Sequence, residues 1–209
     1  MNNSFFAILF RQRYIRRWGL MRNTREETLE EHAAETAMLA HALASIGNEL
    51  FGRHYNADRA VTLALFHDAT EVYTGDMPTP VKYYTPEIRE SYKRIEAEAA
   101  RRLCTTLPAE LQPIYEPIIC GHAAGENSND RMNSPERAAD EELGSIVKAA
   151  DSLSAYIKCL GELGAGNAEF EDAAASTRKK LEQMHMPELD WFIDNMLEAF
   201  TVPIDRVGF

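Results

Sequence analysis

No stretch of this 209-residue chain is apolar for long enough to cross a bilayer, which takes about 20 residues. The apolar run from Phe5 to Phe10 is short, leads straight into arginines and lacks a small-residue cleavage site, so it does not read as a secretory signal. Cysteine is scarce. Cys104, Cys120 and Cys159 are odd in number, far apart in the chain and in no metal-type pair. Each has apolar neighbours, so buried free thiols in a reducing compartment are expected, and with them a cytoplasmic protein. Basic residues are outnumbered, Lys+Arg 22 against Asp+Glu 33, and the net charge of −11 leaves a surface that repels nucleic acid and anionic membrane. Strand-like alternation, internal repeats, low-complexity tracts and a mid-chain linker are also missing.

What remains is the composition of an ordinary globular protein, 45% hydrophobic and 26% charged, with enough chain for a single domain over residues 1–209. The periodicity is helical almost throughout. From Leu29 to Leu50, the residues Met38, Leu39, Ala42, Leu43, Ile46 and Leu50 recur at three- and four-residue intervals, with Thr28 and Glu31 as a capping box and Gly52 as a stop. A second helix is expected from after Asn56 to Gly75, carrying Val61, Ala64, Leu65 and Val72. Thr85-Pro86 opens a third, with Ile88, Tyr92, Ile95 and Leu103 along one stripe. Ser134-Pro135 opens a long one marked by Leu143, Ile146, Val147, Ala150, Leu153, Ile157 and Leu160. Met186-Pro187 begins a last one through Leu189, Phe192, Ile193, Met196 and Phe200. The reading is all-α, a compact single-domain bundle of roughly six to eight helices. Asp76-Met77-Pro78-Thr79-Pro80 is a rigid turn, and Gly121 to Ser134 a polar loop.

Charge is distributed unevenly. The first 25 residues hold six arginines, Arg11, Arg13, Arg16, Arg17, Arg22 and Arg25, and no carboxylate. An acidic protein that handles an anionic substrate needs such a basic patch, although a solvated helix face explains most of the six equally well. His67-Asp68 follows the apolar Ala64, Leu65 and Phe66, where a charged Asp is costly unless something pairs with it. A divalent metal is one such partner, since His nitrogen and Asp oxygen both bind first-row ions. Adjacent helical positions lie roughly 100° apart, so both side chains can reach one ion, and Glu71 shares their side one turn later. His32, at a helix start, and Asp151, among small apolar residues in Lys148-Ala149-Ala150-Asp151, complete four ligands on separate helices that can converge in a bundle core. His41 lies about 180° from His32 on the same helix, and His122 is either an exposed loop residue or an accessory group beside the metal.

Together His32, His67-Asp68 and Asp151 resemble the HD superfamily of metal-dependent phosphohydrolases. The segments Arg17-Trp18-Gly19-Leu20-Met21-Arg22-Asn23, Glu31-His32, His67-Asp68-Ala69-Thr70-Glu71 and Gly75-Asp76-Met77-Pro78-Thr79-Pro80-Val81-Lys82-Tyr83 are similar to the bacterial HD-type 5′-deoxynucleotidases. This resemblance covers nearly the whole chain and implies an HD-type bundle, acting as a homodimer. It also implies hydrolysis of deoxyribonucleoside 5′-monophosphates with one divalent ion, Mn²⁺, Co²⁺ or another first-row ion. The implied substrate site comprises Arg17, Trp18, Asp76, Met77, Pro78 and Thr79, with His32, Asp68 and Asp151 against the phosphate. One departure is a longer polar segment between His122 and Asp151.

The chemistry is coherent from below. Four protein ligands leave open positions on a six-coordinate ion, which lowers the pKa of bound water and neutralises phosphoryl charge. Arg17 offers a guanidinium fork suited to phosphate. Glu71 is expected as general acid or as the group that positions water. Trp18 can close over the sugar, or belong to the core. Asp76 can accept from the 3′-hydroxyl, and a rigid Pro-flanked turn leaves no room for a 2′-hydroxyl. The competing functions are another HD phosphohydrolase, on cyclic nucleotides, triphosphates or guanosine tetraphosphate, and a non-catalytic nucleotide-binding scaffold. Two-metal relatives need extra histidines where only His122 is available, which favours one ion.

Overall fold

The computed structural model describes residues 3–82, 84–123 and 135–208, and of these the side chains of Thr79, His122, Ala123 and residues 135–139 lie outside the description. The helices are α1 (Phe5–Leu9), α2 (Leu29–Phe51), α3 (Ala57–Leu65), α4 (Glu71–Thr74), α5 (Thr79–Lys82), α6 (Pro86–Cys104), α7 (Gln112–Ala123), α8 (Pro135–Gly164), α9 (Glu171–Glu182) and α10 (Pro187–Asn195). That is ten α-helices among the described residues, more than expected, because α1, α4 and α5 are single turns too short for periodicity to reveal. The β-structure found among the described residues is an isolated bridge between Arg16 and Thr28. None of the described helices is long and apolar enough to cross a membrane.

Local chemistry explains the long helices. At the start of α2 the Glu31 carboxylate accepts from the Thr28 amide at 2.8 Å while the Glu31 amide donates back to the Thr28 hydroxyl at 3.2 Å, the expected capping box. Beyond its end Gly52 takes φ 64°, the left-handed conformation that stops a helix cheaply only at glycine. Thr85 caps α6 by accepting from the Ile88 amide at 3.3 Å, with Pro86 in the first turn. Several residues expected inside are exposed: Met38, Leu50, Ile88, Ile95, Met196 and Phe200. Alanines displace them. The buried face of α2 is lined by Ala33, Ala37, Ala40 and Ala44 beside Leu39, Leu43 and Ile46, and that of α6 by Tyr92, Ala99, Ala100 and Leu103. Small side chains let neighbouring elements approach closely, so the contact face keeps Leu39, Leu43 and Ile46 of the expected α2 stripe and Tyr92 and Leu103 of that on α6, and adds alanines to them. Ser134 and the polar stretch 124–134 lie outside the described residues, and α8 begins at Pro135 as expected.

The chain forms two compact units. The first comprises Met1–Leu20, Glu26–Ala34 and Leu65–Ala138, and the second Met21–Arg25, Glu35–Ala64 and Ala139–Phe209. In the first, α6 packs on α7, α4 and α5. An aromatic cluster joins Phe5 and Phe66 through Tyr115, with ring centroids 5.1 and 5.8 Å apart. Cys104 on α6 and Cys120 on α7, distant in sequence, are brought to 3.9 Å between sulfurs. Both are free thiols, as is Cys159, but Cys120 is only half-buried where full burial was expected.

The second unit is organised around a buried carboxylate. Glu162 accepts from the Thr24 amide at 2.8 Å, the Thr24 hydroxyl at 2.6 Å, the Arg25 amide at 3.1 Å and Asn167 Nδ2 at 2.8 Å, and it pairs with Lys158 one turn before it. Burial raises its pKa, but the Lys158, Thr24 and Asn167 hydrogen bonds outweigh that and hold it far below the ordinary carboxylate range. A carboxylate with a depressed folded pKa contributes stability that is complete above its unfolded pKa and is lost as pH falls. Glu162→Gln is therefore expected to destabilise the protein by about 3 kcal/mol at neutral pH, and the difference from wild type should shrink below about pH 4.5. Urea unfolding of both proteins between acid and neutral pH measures this directly.

Candidate metal and phosphate site

The second expected helix does not run to Gly75. It stops at Leu65, and residues 66–70 form a turn held by bonds from Ala69 N to Phe66 O at 3.1 Å and from Glu71 N to Asp68 O at 3.0 Å. Phe66 is anchored on Tyr115, and the buried Gln12 reaches the Asp68 carbonyl from the other side at 3.5 Å. The residues predicted as ligands thus stand on a tight i→i+3 turn between two helices and not within one continuous helix. His67 Nε2 lies 3.0 Å from Asp68 Oδ2.

His32 joins them from the first turn of α2. It is fully buried, its Nε2 is 3.8 Å from Asp68 Oδ2, and its ring centroid is 5.3 Å from that of His67. One ligand atom from each of His32, His67 and Asp68 lies within 4.8 Å of the others. Ligands at about 2.1 Å from one ion stand roughly 3–4 Å apart, so a small inward movement closes this set. Two imidazoles and a carboxylate suit a first-row divalent ion. Asp151 belongs to the second unit, half-buried on α8 between the buried Ala150 and Ser152.

Of the six N-terminal arginines, five are exposed, and Arg13, Arg16 and Arg22 pair with the surface carboxylates of Glu30, Glu26 and Glu169. Arg17 is the exception, with 12% of its side chain exposed. Its Nη1 lies 3.6 Å from Asp68 Oδ2 and its Nε 3.3 Å from Glu27 Oε1. The expected basic patch therefore contracts to one inward guanidinium. Bonds from Arg17 N to Glu27 O and from Leu29 N to Ile15 O, both 2.9 Å, hold this strand-like segment beside the start of α2. Trp18 follows with φ 59°, a conformation that costs a bulky residue roughly 1–3 kcal/mol. Its half-buried indole donates to Glu27 Oε2 at 2.8 Å.

Glu27 is the residue that sequence reasoning missed. In Glu26-Glu27 it looks like half of a solvated acidic pair, yet it is buried, and its Oε1 also faces His32 Nδ1 at 3.5 Å. Burial alone raises its pKa, but His32, Arg17 and Trp18 together lower it below the ordinary value. The available signal was its position just before the capping Thr28, one turn from His32.

Glu71 behaves oppositely. It is buried at the start of α4, and its Oε2 has no hydrogen-bond partner among the described residues. Burial, then the charges of Asp68 and Asp76, push its pKa up to about 9 against the opposing Arg17 and Lys82. Asp76 is also raised, mainly by burial, with Arg17 opposing. It follows Gly75, whose φ of 71° ends α4, and precedes the half-buried Met77 and Pro78. The expected turn passes straight into α5 at Thr79, whose side chain is outside the described residues, as is that of His122. Lys82 donates to Glu96 at 2.8 Å across the Tyr92 ring. His41, His54 and His185 are exposed and take no part.

A family model described as 5′-deoxynucleotidase YfbR-like matches residues 4–200. The chain belongs to this family. Its members are 5′-deoxynucleotidases, that is, phosphoric monoester hydrolases, and the chain is 45% identical over 204 residues to the 5′-deoxynucleotidase yfbR of Photorhabdus temperata, covering 98% of this chain and 96% of that one. Its fold is that of HD-domain phosphohydrolases. The HD-domain phosphohydrolase of Listeria innocua superposes with a TM-score of 0.73 at 23% identity, over 94% of this chain and 88% of the other. That of cyanophage S-2L, solved with dA and one catalytic Zn²⁺, gives 0.61 at 20% identity, over 92% and 95%. With three candidate ligands of this YfbR-like chain already converged, His67→Ala should weaken Co²⁺ binding by more than about 100-fold without unfolding the protein. Chelator competition measures it, and unchanged affinity would remove His67 from the ligand set.

Proposed function

We propose that this member of the YfbR-like family hydrolyses deoxyribonucleoside 5′-monophosphates to deoxynucleoside and phosphate and discriminates against ribonucleotides. The observation that carries the reading is the convergence of His32, His67 and Asp68 beside the inward Arg17 and the buried Glu71. His32, His67, Asp68 and, by the resemblance, Asp151 hold one divalent first-row ion such as Mn²⁺ or Co²⁺. When bound, the ion supplies Lewis-acid stabilisation of phosphoryl charge and a more acidic water.

The chain's own groups do the rest. Arg17 points its guanidinium at the same space as Asp68 and binds the phosphate oxygens through its fork. Water adds to phosphorus, the bond from phosphorus to the 5′-oxygen breaks, and the leaving oxygen takes a proton. The position of Glu71, buried at the head of α4 three residues after Asp68, supports it as the general acid, and its burial favours the protonated form. Trp18 and the Asp76–Thr79 turn hold the sugar, Asp76 accepting from the 3′-hydroxyl while Met77 and Pro78 crowd the 2′ position. The reading takes the working form as a cytoplasmic homodimer, in keeping with the resemblance and with the buried thiols of Cys104 and Cys159.

Phosphate release from paired deoxy- and ribonucleoside 5′-monophosphates tests the reading, with enzyme stripped by chelator and resupplied with Mn²⁺, Co²⁺ or Mg²⁺. Activity restored by metal on the deoxy substrates alone is expected, and no release with any metal would overturn the reaction. Glu71→Gln should lower kcat by about 10²–10⁴-fold, and Arg17→Ala should lower kcat/KM by about 10²–10³-fold, both with the metal retained.

A further inference from the structure

The two nitrogens of His32 face different groups. Nε2 looks toward Asp68, at 3.8 Å from Oδ2, and Nδ1 looks toward Glu27, at 3.5 Å from Oε1. That same Oε1 lies 3.3 Å from Arg17 Nε, and the other oxygen of Glu27 accepts from the Trp18 indole at 2.8 Å. One buried carboxylate therefore touches a candidate metal ligand, the candidate phosphate-binding guanidinium and the tryptophan beside it. The backbone keeps it there: Arg17 N donates to the Glu27 carbonyl, so residues 17 and 27 are in fixed register. Trp18 needs such a hold, because its left-handed backbone is strained.

We propose that Glu27 is the positioning residue that couples metal binding to phosphate and sugar binding in this site. The proposal rests on the metal reading given above. Glu27 Oε1, 3.5 Å from His32 Nδ1, is the acceptor toward which that N–H turns when the ion binds, which fixes the tautomer with a bare Nε2 on the side of His67 and Asp68. Through the same oxygen it holds Arg17 at Nε, which keeps the terminal nitrogens of the fork beside Asp68, on the side where phosphate would bind. Through Oε2 it orients the Trp18 indole. Glutamine cannot replace it. Its amide nitrogen would bring donors against Arg17 or His32, and its single oxygen cannot serve both sides.

Glu27→Gln is expected to raise the dissociation constant for Co²⁺ about 10–100-fold in chelator competition, and to raise KM for the deoxynucleotide at saturating metal. Glu27→Asp, which keeps the charge, should recover part of the metal affinity. Glu26→Gln, at the exposed neighbour paired with Arg16, should change neither quantity. A folded Glu27→Gln protein that binds Co²⁺ as tightly as wild type would overturn the coupling while leaving the metal reading intact. If wild type itself takes up no ion, the metal reading fails and the proposal with it. Nitrogen-15 spectra of histidine-labelled, Zn²⁺-loaded wild type decide the matter even if the glutamine variant does not fold. A protonated Nδ1 and a coordinated Nε2 at His32 are expected, and coordination through Nδ1 would refute the proposal.

Discussion

The site depends on the charge of Arg17. Its guanidinium lies 3.3 Å from Glu27 and 3.6 Å from Asp68, and it is also the main favourable charge acting on the carboxyls of Glu71 and Asp76. Four carboxyl groups crowding one cation cannot all ionise with equal ease. The contacts decide among them. Glu27 is held below its ordinary pKa by His32, Arg17 and Trp18 despite its burial, while Glu71, buried and facing two other carboxylates, is pushed up to about 9. In the proposed reaction, two carboxyls separated in this way would take different parts, Glu27 as an anion that holds cations and Glu71 as a proton donor.

The turn at 66–70 holds these groups together: it brings His67 Nε2 to 3.0 Å from Asp68 and places Glu71 one short turn later at the head of α4. Nothing about the turn is loose. Phe66 is packed on Tyr115, Asp68 accepts through its backbone from Glu71, and Gln12 closes the other side. Preorganisation of this kind is what electrostatic catalysis demands, because groups that need not move at the moment of reaction cost no reorganisation then.

Much of this was legible in the sequence, and the exceptions have physical causes. Capping chemistry is local, so Thr28 with Glu31, Gly52 and Thr85 were readable residue by residue. His67 and Asp68 stood out because ligating side chains after an apolar run demand a partner, and His32 at a helix start added a further ligand. The helix break at Leu65 was hidden, since the apolar spacing runs through it, while the residue that follows, Phe66, packs on the distant Tyr115. Met38 and Ile95 were misplaced because period finds the largest residues, whereas alanines share the buried faces of α2 and α6 with Leu39, Leu43, Tyr92 and Leu103. Glu27 was invisible for a related reason: a carboxylate beside Glu26 looks solvated until the Arg17 segment folds across it. That one of the six arginines, Arg17, is turned inward is also tertiary, set where the Arg16–Thr28 bridge joins its segment to the start of α2.

The most direct test is crystallographic: anomalous scattering from crystals of the protein grown with Co²⁺ and inorganic phosphate. The account predicts one strong peak within bonding distance of His32 Nε2, His67 and Asp68, with phosphate between it and the Arg17 guanidinium. An ion bound elsewhere, or phosphate held away from Arg17, would contradict it.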